Sequence, residues 1–169
     1  SGISLAIMST SNRETLLNCA KRWRESGSQI IFDSNFRRQL WVSQEEAMQW
    51  IEAAWKVTTI GLPTLEDEQE LFAMDSTQQT LAKLRSAGVV AGAIKLGSDG
   101  CLAFDAENEW AIAAADTIKV VDTTGAGDAF NGVFIASYLA HGDSESAARL
   151  AVKRAAETVQ HAGALPPAE

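Results

Sequence analysis

Short apolar runs alternate with helix-patterned segments along this chain, and that alternation limits the possible folds more than any single residue does. Residues 2–8, 29–33, 57–61 and 89–96 each read as a short buried strand. Helix patterns with start signals lie between them. Ser11 with Glu14 forms a capping box for a helix running to about residue 26, where Gly27 stops it, and Ser43 with Glu46 opens another. Pro63 begins the acidic helix LEDEQELF, and a further helix fills Thr77–Ser86. After a GSDG turn, residues 101–105 and 110–114 pattern as an antiparallel pair. A strand at 118–121 and two apolar-faced helices, over about 126–140 and 144–160, complete the chain. This order predicts an α/β fold, a mostly parallel sheet flanked by helices in the Rossmann manner. In such sheets ligands sit beyond the carboxyl ends of the strands. The polar clusters at 33–37, 64–67, 95–100 and 122–128 all fall at such ends.

The passage VVDTTGAGDAFNGV, residues 120–133, carries the most specific chemistry. Its glycines let backbone N–H groups approach a ligand, and the helix start that follows favours negative charge. Asp128 falls in the first turn of that helix, where the dipole stabilises an acid. An anion cradle beside a carboxylate suits the transfer of a phosphoryl group to a hydroxyl, which needs positioning and charge stabilisation more than covalent chemistry. A plain strand–turn–helix joint would also use any one of these glycines or acids. No G-x-x-x-x-G-K-[ST] occurs, so the passage is not a P-loop.

DTTGAGDAFNG resembles the signature of the ribokinase-like (PfkB) sugar kinases, which lies in the C-terminal half of their domain. The resemblance implies a ribokinase-like fold. It also implies that the backbone of Gly125, Ala126 and Gly127 holds the transferring phosphate and that Asp128 is the base for the substrate hydroxyl. It implies ATP with Mg²⁺, and a monovalent cation such as K⁺ near Asp122, with Thr124 beside it. A capping role for the turn explains Asp122 and Thr124 equally well. IKLGSDGCLAF is similar to the nucleotide-binding segment of the same kinases, with Lys95, Gly97, Ser98 and Gly100 bordering the phosphates and ribose. Taken alone, G-x-x-G is also the composition of a hairpin turn.

DSNFRRQLW matches the family's D-x-N-x-R, which would turn Asn35 and Arg37 toward the phosphates or the substrate. A solvated loop is the alternative for the two adjacent arginines. The run RRQLW looks most like the family members that act on 2-keto-3-deoxygluconate, a sugar acid whose carboxylate a fixed cation would recognise. Many members show N-x-x-E where this chain has Thr64 and Asp67, a variant that the same keto-deoxygluconate kinases resemble. An acidic exposed helix start accounts for those residues as well. Val152 stands where many members carry an Asn on the adenine side.

Composition bounds the rest. At 169 residues the chain supports one domain with a real core, burying about 70% of its unfolded surface. A hydrophobic content of 46% with 21% charge is that of a globular protein. A net charge of −8 argues against nucleic acid or an anionic membrane as partner, though not against a nucleotide. No stretch reaches the roughly 18 apolar residues of a membrane span. The opening SGISLAIM is too short and lacks the basic start of a signal peptide. Cys19 and Cys101 pattern as buried or half-buried thiols of a cytoplasmic protein, and Trp23, Trp41, Trp50 and Trp55 fall at packing positions.

The expectation is therefore an ATP-dependent kinase of a small sugar or sugar acid, homo-oligomeric in its full-length form. The chain, with no initiator Met, is expected to be the nucleotide-binding portion of a longer domain and to be inactive alone. Other sugar or nucleoside kinases of the family (ribokinase, fructokinase) are the alternatives, as is a nucleotide-binding module without catalysis.

Overall fold

The computed structural model describes residues 1–116 and 119–164. The chain divides into two compact units, Ser1–Ile94 and Lys95–Glu169.

In the first unit, α1 (Gly2–Ile7) and α2 (Thr10–Glu25) precede strand β1 (Ile31–Phe32), and α3 (Gln44–Trp55) precedes β2 (Ile60–Gly61). Helices α4 (Leu65–Phe72) and α5 (Thr77–Ser86) then lead to β3 (Ala91–Lys95). β1 pairs with β2 and β2 with β3, both in parallel, with Ile31 opposite Ile60 and Ile60 opposite Ala91. Parallel pairing requires crossover connections, which α3 and the α4–α5 pair provide. Ile51, Trp55, Leu81 and Leu84 are fully buried, as are Ile60 and Leu62. The Trp55 ring meets Phe32 edge to face at 4.8 Å. Ser43 caps α3 as expected, its hydroxyl accepting from the Glu46 N–H at 3.1 Å, and Ser76 caps α5 in the same way at 3.3 Å.

The expected strand at residues 2–8 is instead α1. The run is too short for periodicity to separate helix from strand, but the burial settles it. Gly2, Leu5 and Ala6 are buried while Ile7 is exposed, a helical spacing that an alternating strand would not produce. Gly2 also lies so close to the strand-end loop that a Cβ there would overlap the Ser34 carbonyl. The cap of α2 shifts as well. Ser9, not Ser11, is the N-cap, and its hydroxyl accepts from the Asn12 N–H at 3.3 Å.

In the second unit, β4 (Cys101–Phe104) and β5 (Glu109–Ile112) form the expected antiparallel pair, with Cys101 opposite Ile112. Helices α6 (Ala126–His141) and α7 (Ser144–Thr158) follow and pack on each other. The rings of Phe130, Phe134 and Tyr138 stack along α6, and Ala147, Ala148 and Ala151 are the buried small residues of α7. Of the strand expected at 118–121, Ile118 lies outside the described residues and 119–121 carry no strand. The Val121 and Asp122 N–H groups donate instead to the Val159 carbonyl, at 2.7 and 3.2 Å. This apolar run is tied to the end of a helix, a partner that local pattern does not reveal.

Trp41 and Trp55 are buried as expected, whereas Trp23 is 54% exposed. Burial pushes the Cys101 thiol up to about 12, which leaves it protonated and inert. Among the described residues, no helix is long and apolar enough to cross a membrane.

Candidate active site

The glycine turn of the second unit is built by the residues on either side of it. Gly125 is the N-cap of α6 in the left-handed conformation, with φ +80°. A Cβ there would come within 2.8 Å of Ala164, so the position needs glycine for both its conformation and its space. Asp122 fixes the turn from below. One carboxylate oxygen accepts the Thr124 N–H at 2.8 Å, and the other accepts the Gly163 N–H at 2.9 Å. Bonds from the Thr124 side chain and backbone, and then from Gly163, hold the Asp122 carboxyl below its ordinary value. These bonds match the capping alternative. A carboxylate has about four acceptor positions, so these three bonds do not preclude a cation there.

α6 starts at Ala126, whose own N–H donates to the Thr123 carbonyl at 3.2 Å, and the Ala129 N–H makes the bond to Gly125 at 2.8 Å. The amides of Gly127 and Asp128 therefore lie ahead of the first intrahelical acceptor, at the positive end of the dipole. Of the three backbone positions expected to hold a phosphate, Gly127 keeps its amide free of the turn while Ala126 spends its own within it. Asp128 is exposed in the first turn, as expected.

Lys95 ends β3 and is buried, only 8% exposed. Its ammonium donates to the Asn131 side-chain oxygen at 3.2 Å, and a Cβ at Gly127 would lie 3.7 Å from it. A cation thus stands against the first turn of α6, where helix dipole and charge act together on an anion. Asn131 was not singled out from the sequence. Its signal was present, because it lies three residues after Asp128 and four after Gly127, on one helical face.

Gly97 and Ser98 form an exposed single 3₁₀ turn after Lys95, closed by the Leu96 N–H donating to the Gly100 carbonyl at 2.8 Å. Gly100 is buried, and a Cβ there would overlap the Ile112 carbonyl. Backbone packing alone accounts for that glycine.

In the first unit, the loops after β1 and β2 come together. Asn35 takes φ +33°, a left-handed conformation that asparagine tolerates, and its N–H donates to the Asp33 carboxylate at 3.1 Å. The Arg37 guanidinium donates to the Phe36 carbonyl at 2.6 Å and lies 3.6 Å from the Asp67 carboxylate, in the first turn of α4. The Arg37 side chain is 47% exposed, and a pair this open holds its partners weakly, by about 0–1 kcal/mol. It leaves the guanidinium available to a competing anion.

Among the described residues, no group of three or more His, Cys, Asp or Glu side chains is placed to hold a metal. Mg²⁺ commonly relies on one or two carboxylates with substrate phosphates and waters, so a Mg²⁺ carried by phosphates would need no such group.

Parallel strands with polar loops at their carboxyl ends, and a glycine turn opening a helix beside a lysine, define the class of this chain as an α/β protein with features that suit anions. The family described as pfkB family carbohydrate kinase matches it over residues 1–169, and the chain belongs to that family. It is 37% identical over 172 aligned residues to a 2-dehydro-3-deoxygluconokinase of Escherichia coli, covering 100% of this chain and 56% of that protein. It is 34% identical to the protein of that name from Haemophilus influenzae, over 98% of this chain and 53% of the relative. The crystal structure of aminoimidazole riboside kinase from Salmonella enterica, complexed with aminoimidazole riboside and an ATP analog, superimposes with a TM-score of 0.79 at 31% identity. That match covers 90% of this chain and 52% of the other. The fold is the ribokinase-like α/β fold expected from the sequence. The chain spans about half the length of the curated relatives it matches.

Proposed function

We propose that the full-length protein transfers the γ-phosphoryl group of ATP to a hydroxyl of 2-keto-3-deoxygluconate, or of a closely similar sugar acid. The observation that carries this reading is the first turn of α6, with Asp128 exposed in it and the Lys95 ammonium against Gly127. In the transfer, the Asp128 carboxylate takes the hydroxyl proton, the new O–P bond forms to the γ-phosphorus, and the bond to the β-phosphate oxygen breaks to release ADP. Lys95 and the Gly127 and Asp128 amides offset charge on the phosphate oxygens. The D-x-N-x-R match supports a contact from Asn35 to the phosphates or the substrate. Mg²⁺, when bound, neutralises phosphate charge and orients the transfer. Arg37 recognises the acid's carboxylate, displacing its weak contact with Asp67. The similarity to 2-dehydro-3-deoxygluconokinases supports the choice of acid.

The test compares acceptors on the full-length protein by ADP release, using 2-keto-3-deoxygluconate, a neutral hexose and aminoimidazole riboside. Preference for the acid is expected, with Arg37→Ala raising its KM about tenfold or more and leaving the KM for ATP nearly unchanged. Preference for a neutral acceptor would overturn the choice of substrate while keeping the kinase. The riboside is included because the Salmonella structural neighbour acts at 31% identity as a kinase of that name.

A further inference from the structure

Arg13, on α2, is only 5% exposed and takes no part in the proposed transfer. A buried cation is costly unless every donor is used, and here the guanidinium fork is well occupied. Nε donates to the Leu5 carbonyl at 2.7 Å and Nη2 to the Ala6 carbonyl at 3.1 Å, both at the C-terminal end of α1. Nη1 donates to the Glu46 carboxylate at 2.6 Å, and the guanidinium carbon lies 4.9 and 5.4 Å from the ring centres of Trp41 and Trp50. The other Glu46 oxygen accepts the Val42 N–H at 3.3 Å.

These contacts reach both ends of the loop that follows β1. At its start, α1 carries the connection: the Gly2 N–H donates to the Asp33 carbonyl at 3.0 Å, and Gly2 packs on the Ser34 carbonyl with no room for a Cβ. At its end, Trp41 and the Glu46–Val42 bond carry it. Between the anchors stand Asn35 and Arg37, on backbone whose only regular structure is one 3₁₀ turn at Arg38–Leu40. We propose that Arg13 is a positioning residue: by clamping both ends of the 34–42 loop it sets where Arg37 meets the acceptor's anionic group, without touching that group. The inference rests on the acceptor reading above. Lysine in its place keeps the charge and loses the planar fork, so it cannot hold the two carbonyls and the carboxylate together.

The experiment uses the full-length protein with Arg13→Lys and Arg13→Met, and amide hydrogen exchange of residues 34–42 against 91–95 as internal reference. Arg13→Lys is expected to speed exchange in 34–42 about tenfold while 91–95 holds, since the opening is local. It should raise the acceptor KM about tenfold, with kcat and the KM for ATP changing less than about twofold. Combined with Arg37→Ala, its added effect on acceptor KM should fall below about twofold, because the clamp acts through a side chain no longer there. Unchanged protection of 34–42, equal loosening of 91–95, or a full effect retained without Arg37 would each overturn the proposal. If the methionine variant does not fold, the lysine variant decides. If the wild-type protein phosphorylates no anionic acceptor, the acceptor reading fails and exchange decides the clamp alone: loosening confined to 34–42 upholds it, and unchanged protection refutes it.

Discussion

Asp128 sits where a helix start tolerates an acid, so its presence costs the fold nothing and its removal tests chemistry more than stability. Asp128→Asn keeps the size and loses the proposed base. Turnover by the full-length protein is expected to fall about 10²- to 10⁴-fold, with nucleotide affinity within a few-fold, as read by steady-state kinetics and ATP titration. A correctly folded variant with near-normal turnover would remove Asp128 from the mechanism. Asp128 and Lys95 stood out in the sequence because each belongs to a contiguous motif with glycines at fixed spacing. Arg13 did not, because what defines it is a partner far along the chain, Glu46, whereas Asn131 lies inside the glycine motif and is set apart only by its bond to Lys95. A lone arginine on an amphipathic helix reads as a solvated face until the tertiary contacts are known.

At the scale of elements, helices with capping signals were legible almost to the residue where the cap was read correctly, since a cap is a local hydrogen bond between near neighbours, but the cap of α2 moved from Ser11 to Ser9. The α4 and α5 ends coincide with the expected runs, and Ser43 opens α3 where the box placed it. Removing that cap should show its weight. Ser43→Ala leaves the Glu46 N–H without its acceptor and is expected to cost about 1 kcal/mol in denaturant unfolding. A change near zero would mean that water or the Arg13-bound Glu46 carboxylate replaces the hydroxyl. The short apolar runs were less legible. Residues 2–8 and 119–121 both look like strands, yet one is a helix docked on the β1 loop and the other is held by the Val159 carbonyl. In each case a tertiary neighbour outweighs a pattern too short to be decisive.

At the scale of the whole molecule, the features proposed to handle phosphate lie within these 169 residues, which span about half the length of the relatives. Assayed alone, the chain is expected to bind ATP weakly and to turn over no sugar, because a kinase must also enclose its acceptor and exclude water. It is also expected to self-associate. Leu5, Leu16, Ala20 and Trp23 line an apolar cavity of about 350 Å³ together with Ile31 and Phe32 of β1. Sedimentation over a range of concentrations measures the association, and full activity from the chain alone would refute the argument. The parallel pairing of β1, β2 and β3 has a different consequence, in time. Ile31 meets Ile60 and Ile60 meets Ala91 across roughly thirty residues each, so a long loop must close before any of these ladder bonds can form. α6 and α7 meet across only Gly142 and Asp143. The helical hairpin should therefore gain amide protection ahead of the strands in a pulse-labelled refolding experiment, and simultaneous protection of both would contradict that order. A refolding chain would then spend its slowest interval with the α6–α7 hairpin formed and the strands of its first unit still unpaired.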